Sequence, residues 1–451
     1  MGTPSLGLSI SLVCFVVLML ASNSVAHRQK MRMDRRPQAG ECQLDRLESL
    51  KPVYRIESEG GVTESWNHSD KILRCAGVTL VRRTVQPKGL VLPSYTNAPQ
   101  LLYYVRGSGI QGMTIFPSCP ESFEEPEGSE GGYREKHQKV HEIGEGDIIA
   151  IPAGIGYWFY NNGNTPLVVV ILMDTSNADN QLDGKPRRFY LAGNPEDEHG
   201  EETDGESGRN LFSRIHEQLL SEIYGVSVET VRKMKGADDT RKNIVLVKEG
   251  LEVVRPEPGP RANGLEETIC TLRVREHVGS AARADIYTPH AGRIATLNSI
   301  KLPILADLRL SAERGVLYEN GVYVPHWNLN ANTILYVTGG KGTIQVVDNE
   351  GRSVFDGKIE EGEVLVIPQN FVVVIQATGE GGFEWIAFKT AEDAMISPLV
   401  GISSAIRALP VHVVANIFRV SIKEAQRLKI GRDQASLFSI ASQSSKTKAF
   451  V

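Results

Sequence analysis

Two features of this 451-residue chain could support covalent chemistry on the chain itself: an asparagine followed by glycine, and a set of cysteines. Asn263-Gly264 leads into Leu265-Glu266-Glu267-Thr268-Ile269-Cys270 and follows Arg255-Pro256-Glu257-Pro258-Gly259-Pro260. Each proline removes a backbone donor and pushes its predecessor toward extended geometry, so the stretch continues neither a helix nor a central strand. The expectation is a loop open to a protease, with hydrolysis between Asn263 and Gly264. Asn-Gly is also a common tight turn, because both residues tolerate positive φ. If Cys270 is bonded to a cysteine upstream, cutting after Asn263 leaves two chains joined through sulfur.

Cysteine chemistry depends on the compartment, which the first residues set. Leu6 to Ala21 is nearly unbroken apolar sequence, short of the roughly 20 residues a spanning helix needs, and Ser24-Val25-Ala26 supplies small residues for cleavage. Residues 1–26 are therefore expected to be a signal peptide, although Met1 to Ser5 lacks the usual basic residue. Its removal takes Cys14 and leaves Cys42, Cys75, Cys119 and Cys270 in an oxidising route. Four cysteines allow three pairings, and the sequence does not choose among them. Asn67-His68-Ser69 is a glycosylation acceptor motif, short enough to arise by chance.

Composition bounds the rest. With 41% apolar residues and a net charge of −5, the chain has ample material for two cored domains, and neither nucleic acid nor a membrane is implied as partner. Residues 27–263 hold 30 Lys and Arg against 35 Asp and Glu, and residues 264–451 hold 19 against 19. The two products would be an acidic and a neutral chain.

An internal repeat must position these features. Ala98-Pro99-Gln100-Leu101-Leu102-Tyr103-Tyr104-Val105, with its glycine turn, is answered by Ala331-Asn332-Thr333-Ile334-Leu335-Tyr336-Val337. Farther on, Glu145-Gly146-Asp147-Ile148-Ile149-Ala150-Ile151-Pro152 is answered by Glu361-Gly362-Glu363-Val364-Leu365-Val366-Ile367-Pro368. Each half ends in helical signals, with Ser227 placed as an N-cap and Ser421 with Glu424 at capping-box spacing. Short β-branched runs between glycine turns predict antiparallel strands in a jelly roll or barrel, strands then helices, twice. Pairing Tyr104 with Tyr336, the first copy carries about 16 extra residues before its proline. These fall in the acidic stretch 121–138; this stretch and 196–209 are expected to be solvent-exposed loops.

The octapeptide from Asn263 to Cys270 in its proline-rich setting, with the leader, the cysteine order and the duplicated halves, resembles the 11S globulins, the legumin-type seed storage proteins of the cupin superfamily. The resemblance implies a mainly β bicupin: two jelly-roll β-barrels, each followed by a small helical extension. It places the first cupin domain at about 42–240 in an acidic chain 27–263, and the second at about 270–435 in a chain 264–451. It implies disulfides Cys42–Cys75 and Cys119–Cys270, cleavage after Asn263 by an asparaginyl endopeptidase, and self-association as a precursor trimer and a mature hexamer. It further implies delivery through the secretory pathway to the protein storage vacuole. Such proteins usually pair an acidic chain with a clearly basic one, so the neutral second chain departs from the pattern.

Cupin enzymes hold a metal with two histidines alternating on one strand, a glutamate, and a third histidine from a second motif. Alternation matters because side chains two apart on a strand share a face. In the first half, the second motif's skeleton runs Gly146, Pro152, Gly154 and Asn161, but its ligand position is Tyr157, and Leu92 to Asn97 holds no histidine. The second half keeps His326, with Asn328 where its partner should stand and Val373 at the third position. One imidazole beside an amide does not make a transition-metal site, so His326 is read as structural. No Gly-x-Ser-x-Gly elbow, Walker loop or dinucleotide fingerprint is present. The expectation is a reservoir protein with no catalytic, cofactor or metal residues. The alternatives are a metal-dependent bicupin oxidase or decarboxylase, and a bicupin that binds a small ligand near Tyr157 and Trp158.

Overall fold

The computed structural model describes residue 42 and residues 44–114, 125–126, 133–134, 140–200, 210–251, 273–434 and 436–440. The segments at 115–124 and 252–272, which carry Cys119, Asn263, Gly264 and Cys270, lie outside them. So do the leader and most of the two acidic stretches.

Strand formation follows the alternation of the sequence. Gly321–Asn328 and Gly89–Thr96 largely alternate buried and half-buried residues, whereas Val78–Val85 is buried on both faces over its first four residues and alternates only at its end. Each repeat folds into two facing antiparallel sheets. In the first repeat, one sheet runs through Tyr54–Ser58, Gly61–Ser65, Val78–Val85, Leu167–Asp174, Gln100–Arg106, Asp147–Ile151 and Arg275–His277. The other contains Arg188–Tyr190, Gly89–Thr96, Gly156–Tyr160, Ser108–Thr114 and Val140–Gly144, with Ile244–Leu246 also paired to Gly89–Thr96. The second repeat builds the same two layers, linked by the long strand Thr333–Val347, which pairs with Phe383–Lys389 and Val364–Ile367 at one end and with Val372–Ala377 and Ser353–Glu360 at the other.

Register corrects the repeat alignment by one residue. Tyr103 lies opposite Ile148, and Tyr336 lies opposite Val364, so Tyr336 is the counterpart of Tyr103 and not of Tyr104. A slip of one residue on a strand exchanges faces. Tyr104 points into the first barrel, whereas Tyr103 and Tyr336 lie between the barrels. There the Arg82 guanidinium donates to the Tyr336 hydroxyl at 3.2 Å. One apolar cluster joins Leu80, Tyr103, Ile148 and Leu172 of the first barrel to Leu310, Ile334, Tyr336 and Phe388 of the second, and a separate cluster fills the second barrel.

The two halves are also interlaced near residue 270. Arg275–His277 extends the first barrel's sheet beyond Asp147–Ile151, with Ala150 N–H donating to the Val274 carbonyl at 2.9 Å and Val278 N–H to the Gly146 carbonyl at 2.8 Å. In return, Leu47 N–H donates to the Val354 carbonyl at 2.8 Å, and Leu50 exchanges bonds of 2.7 and 2.9 Å with Val364. Each arm covers an edge that would otherwise expose unpaired backbone groups.

The predicted helical ends are present as Glu217–Tyr224 with Val228–Lys235, and as Val411–Phe418 with Ile422–Ile430. Ser227 Oγ accepts from Thr230 N–H at 3.1 Å, and Ser421 with Glu424 forms the full capping box. Their outer faces leave Ile223, Ile417, Phe418, Leu428 and Ile430 at least half exposed.

Candidate functional site

Cys42 and Cys75 form a disulfide that ties the N-terminal arm to the short helix Lys71–Ala76. Asn67 sits half-buried in the turn before that helix, and its Oδ1 accepts from Ser69 N–H at 3.0 Å.

The barrel interiors show what occupies the cupin ligand positions. In the first barrel, Ser94, Thr96, Gln100 and Tyr157 are all buried and bonded to one another or to a buried cation. Gln100 Nε2 donates to Thr96 Oγ1 at 2.7 Å, and the Tyr157 hydroxyl donates to Gln100 Oε1 at 2.8 Å. Arg188 Nη1 then donates to Ser94 Oγ at 3.1 Å and to the Tyr157 oxygen at 2.9 Å. Tyr157 thus stands in the middle of a hydrogen-bond chain running from Ser94 through Arg188 and Gln100 to Thr96, at the position where a cupin enzyme would carry its third histidine.

The loop expected at 196–209 does not stay in solvent at its start. Glu198 and His199 are buried. The Glu198 carboxylate receives Arg188 Nε at 3.1 Å, the Tyr190 hydroxyl at 2.7 Å, and Arg83 Nη2. The physical reason is charge: two arginines inside a barrel require a carboxylate, and Glu198 is close enough in the chain to turn inward. Burial alone would raise its pKa, but Arg188 and then Arg83 outweigh that and hold it well below the ordinary carboxylate range. Burial, reinforced by Glu198, raises the pKa of Tyr190 and keeps it protonated.

The second barrel uses different residues for the same end. His326 and Asn328 are buried on one strand; His326 Nδ1 donates to the Val324 carbonyl at 2.7 Å, and its ring stacks on Tyr323 at 4.1 Å. Burial lowers the His326 pKa to about 4, so the imidazole is neutral. Lys389 Nζ donates to Asn328 Oδ1 at 3.1 Å and to Glu313 Oε2 at 2.9 Å, while Val373 closes the barrel with an apolar side chain. Each barrel therefore carries a fixed ammonium or guanidinium beside its donor strand. A metal ion there would face both a weak donor set and a like charge. Among the described residues, no group of three or more His, Cys, Asp or Glu side chains is placed to hold a metal ion.

His326 is buried and bonded to its own strand's backbone. Sequence reasoning missed Arg83, Arg188, Glu198, Glu313 and Lys389. The signal available for some of them was a charge at an inward strand position, as in Phe383-Glu384-Trp385-Ile386-Ala387-Phe388-Lys389, where Phe383, Trp385, Ala387 and Lys389 share the barrel face.

Comparison with known proteins agrees with this architecture. The family model described as Cupin matches residues 47–197 and 278–426, once per barrel. The 11S globulin seed storage protein Ana o 2.0101 of Anacardium occidentale is 46% identical over 454 residues, covering 95% of this chain and 97% of that protein. Legumin type B of Vicia faba is 41% identical and covers 98% and 99%. Among solved structures, recombinant pro-11S globulin of pumpkin matches with a TM-score of 0.81 at 43% identity, covering 88% of this chain and 99% of that one. Two cupin matches and near-full-length relatives at these identities show that the chain belongs to the 11S globulins, the legumin-type bicupin seed storage proteins.

Proposed function

We propose that this seed storage protein is a metal-free reserve without enzymatic activity, matured by one cut after Asn263. The observation that carries the first part is the replacement of both donor sets by bonded core residues, Ser94, Gln100, Tyr157 and Arg188 in one barrel and Asn328, Lys389 and Glu313 in the other. Elemental analysis of the purified protein tests it: stoichiometric manganese, iron or copper would restore the oxidase or decarboxylase reading.

An asparaginyl endopeptidase cleaves at Asn263-Gly264 in a proline-flanked segment, and Cys119–Cys270 keeps the chains covalently joined. The precursor assembles as a trimer through the apolar helix faces around Ile223 and Ile417, each meeting a neighbour's barrel head to tail. After cutting, two trimers form a hexamer in the protein storage vacuole. Exposed apolar side chains on both helical ends support this mode of association, since large unpartnered apolar faces seek burial. N-terminal sequencing should find Gly264 at the start of one polypeptide and a residue near His27 at the start of the other. Sedimentation of Asn263→Gln beside the processed protein should give a trimer and a hexamer respectively, and a hexameric uncut variant overturns the link between cutting and assembly.

A further inference from the structure

We propose that the closed interior of the first barrel holds one small monovalent anion, a halide or a short carboxylate, between Arg83 and Arg188. The inference stands on charge and on donors, independently of the storage role.

The charges do not balance. Arg83 is fully buried and the Arg188 side chain is 5% exposed, yet Glu198 is the sole carboxylate bonded to either among the described residues. Of the other buried acids on the first barrel's strands, Asp147 is engaged at the sheet edge by Arg275 at 3.2 Å and His277 at 3.0 Å, and Asp174 accepts from Ser176 Oγ at 3.0 Å. Arg83, Arg188 and Glu198 together thus carry one surplus positive charge in a buried setting, where an uncompensated ion is costly.

The donors do not balance either. Arg83 Nε, Arg83 Nη1, Arg188 Nη2 and Gln111 Nε2 are buried and have no protein partner. Buried polar groups of this kind are ordinarily satisfied. Pairing places Arg83 and Tyr104 on either side of Val169 in one row of the sheet, roughly 10 Å apart between backbones. The Tyr104 hydroxyl donates to the Gln111 carbonyl oxygen, which keeps Gln111 Nε2 as a further donor in the same interior. Water could satisfy the donors but would leave the charge. A divalent anion would overshoot it, and a bulky one would not fit among the buried side chains of the barrel. A single compact anion answers both requirements.

The test is crystallographic, on the full chain grown from bromide, with data at the bromine edge and at a long wavelength where a retained chloride scatters anomalously. The expected result is one anomalous peak per protomer within about 3.5 Å of Arg83 and Arg188 nitrogens. A formate-shaped density replacing that peak in formate-grown crystals assigns the carboxylate form, whereas a peak that persists assigns the halide. Ordered waters alone, with no anomalous signal, overturn the proposal. In solution, Tm should rise by about 4 °C per tenfold increase in chloride above saturation, measured against gluconate at equal ionic strength. Arg83→Met should abolish that difference. Should it not fold, Gln111→Leu, which removes one donor without changing charge, should shift the chloride dependence to several-fold higher concentration; an unchanged dependence counts against the site.

Discussion

Glu198→Gln isolates the energetics of the buried ion pairs in the first barrel. Glutamine keeps the shape of the side chain but removes the charge that Arg83 and Arg188 share, leaving two buried guanidinium groups without a carboxylate. Breaking a buried pair by removing one partner costs about 3–5 kcal/mol, because the desolvation of the remaining charge is no longer offset. Against a total stability of about 5–15 kcal/mol this is a large fraction, and it corresponds to a fall in Tm on the order of 10 °C. Urea unfolding measures the loss, and hydrogen exchange of the segment 188–200 localises it, with the second barrel expected to keep its protection. The pH dependence carries a sign. The folded pKa of Glu198 is depressed, so its contribution is fully present above its ordinary value of 4.5 and declines as pH falls below that toward the folded value. The gap between wild type and variant should therefore be constant from neutral pH to about pH 5 and shrink in stronger acid. A loss under about 1 kcal/mol, the scale of a surface pair, would show that Glu198 is dispensable and refute the reasoning.

Further outcomes follow from other parts of the fold. Cys42→Ser opens a disulfide across 33 residues; the chain-entropy relation gives a loss of about 4 kcal/mol, read from the denaturant midpoint, and a loss under about 1 kcal/mol would indicate that the arm is held by its strand bonds alone. Because Val274–Val278 lies in the first barrel's sheet and Leu47–Leu50 on the second barrel, cleaved and reduced protein should still elute as one species in native buffer. The chains should separate only in denaturant, and separation by reductant alone would contradict the interlacing. His326 is buried neutral with its pKa lowered to about 4, so the unfolded state binds its proton first and stability should fall by about 1.4 kcal/mol per pH unit between about pH 6.5 and about pH 4, and level off below. His326→Gln should flatten that slope, and an unchanged acid profile would place the titrating group elsewhere.

Much of the architecture was legible because it is written in local patterns. Two matched runs before Pro152 and Pro368, glycine turns between β-branched stretches, and Ser-x-x-Glu at Ser421 each depend on neighbours within a few residues. The same locality made the cupin ligand positions readable: Tyr157, Asn328 and Val373 occupy them. Local pattern could not say what replaces a metal. Arg83, Arg188 and Glu198 are on three separate segments, and only closure of the barrel brings them within bonding distance.

Sequence by itself thus determined the repeat and the strand-then-helix order. Tertiary structure decided which tyrosine faces the barrel, since a one-residue shift in register exchanges faces without changing composition. It also turned part of an acidic loop inward, because desolvated arginines reward a carboxylate more than solvent does. Finally, it interlaced the halves across the segment that contains Asn263: an open sheet edge accepts any strand of suitable length, and the arms at 47–50 and 274–278 were those within reach.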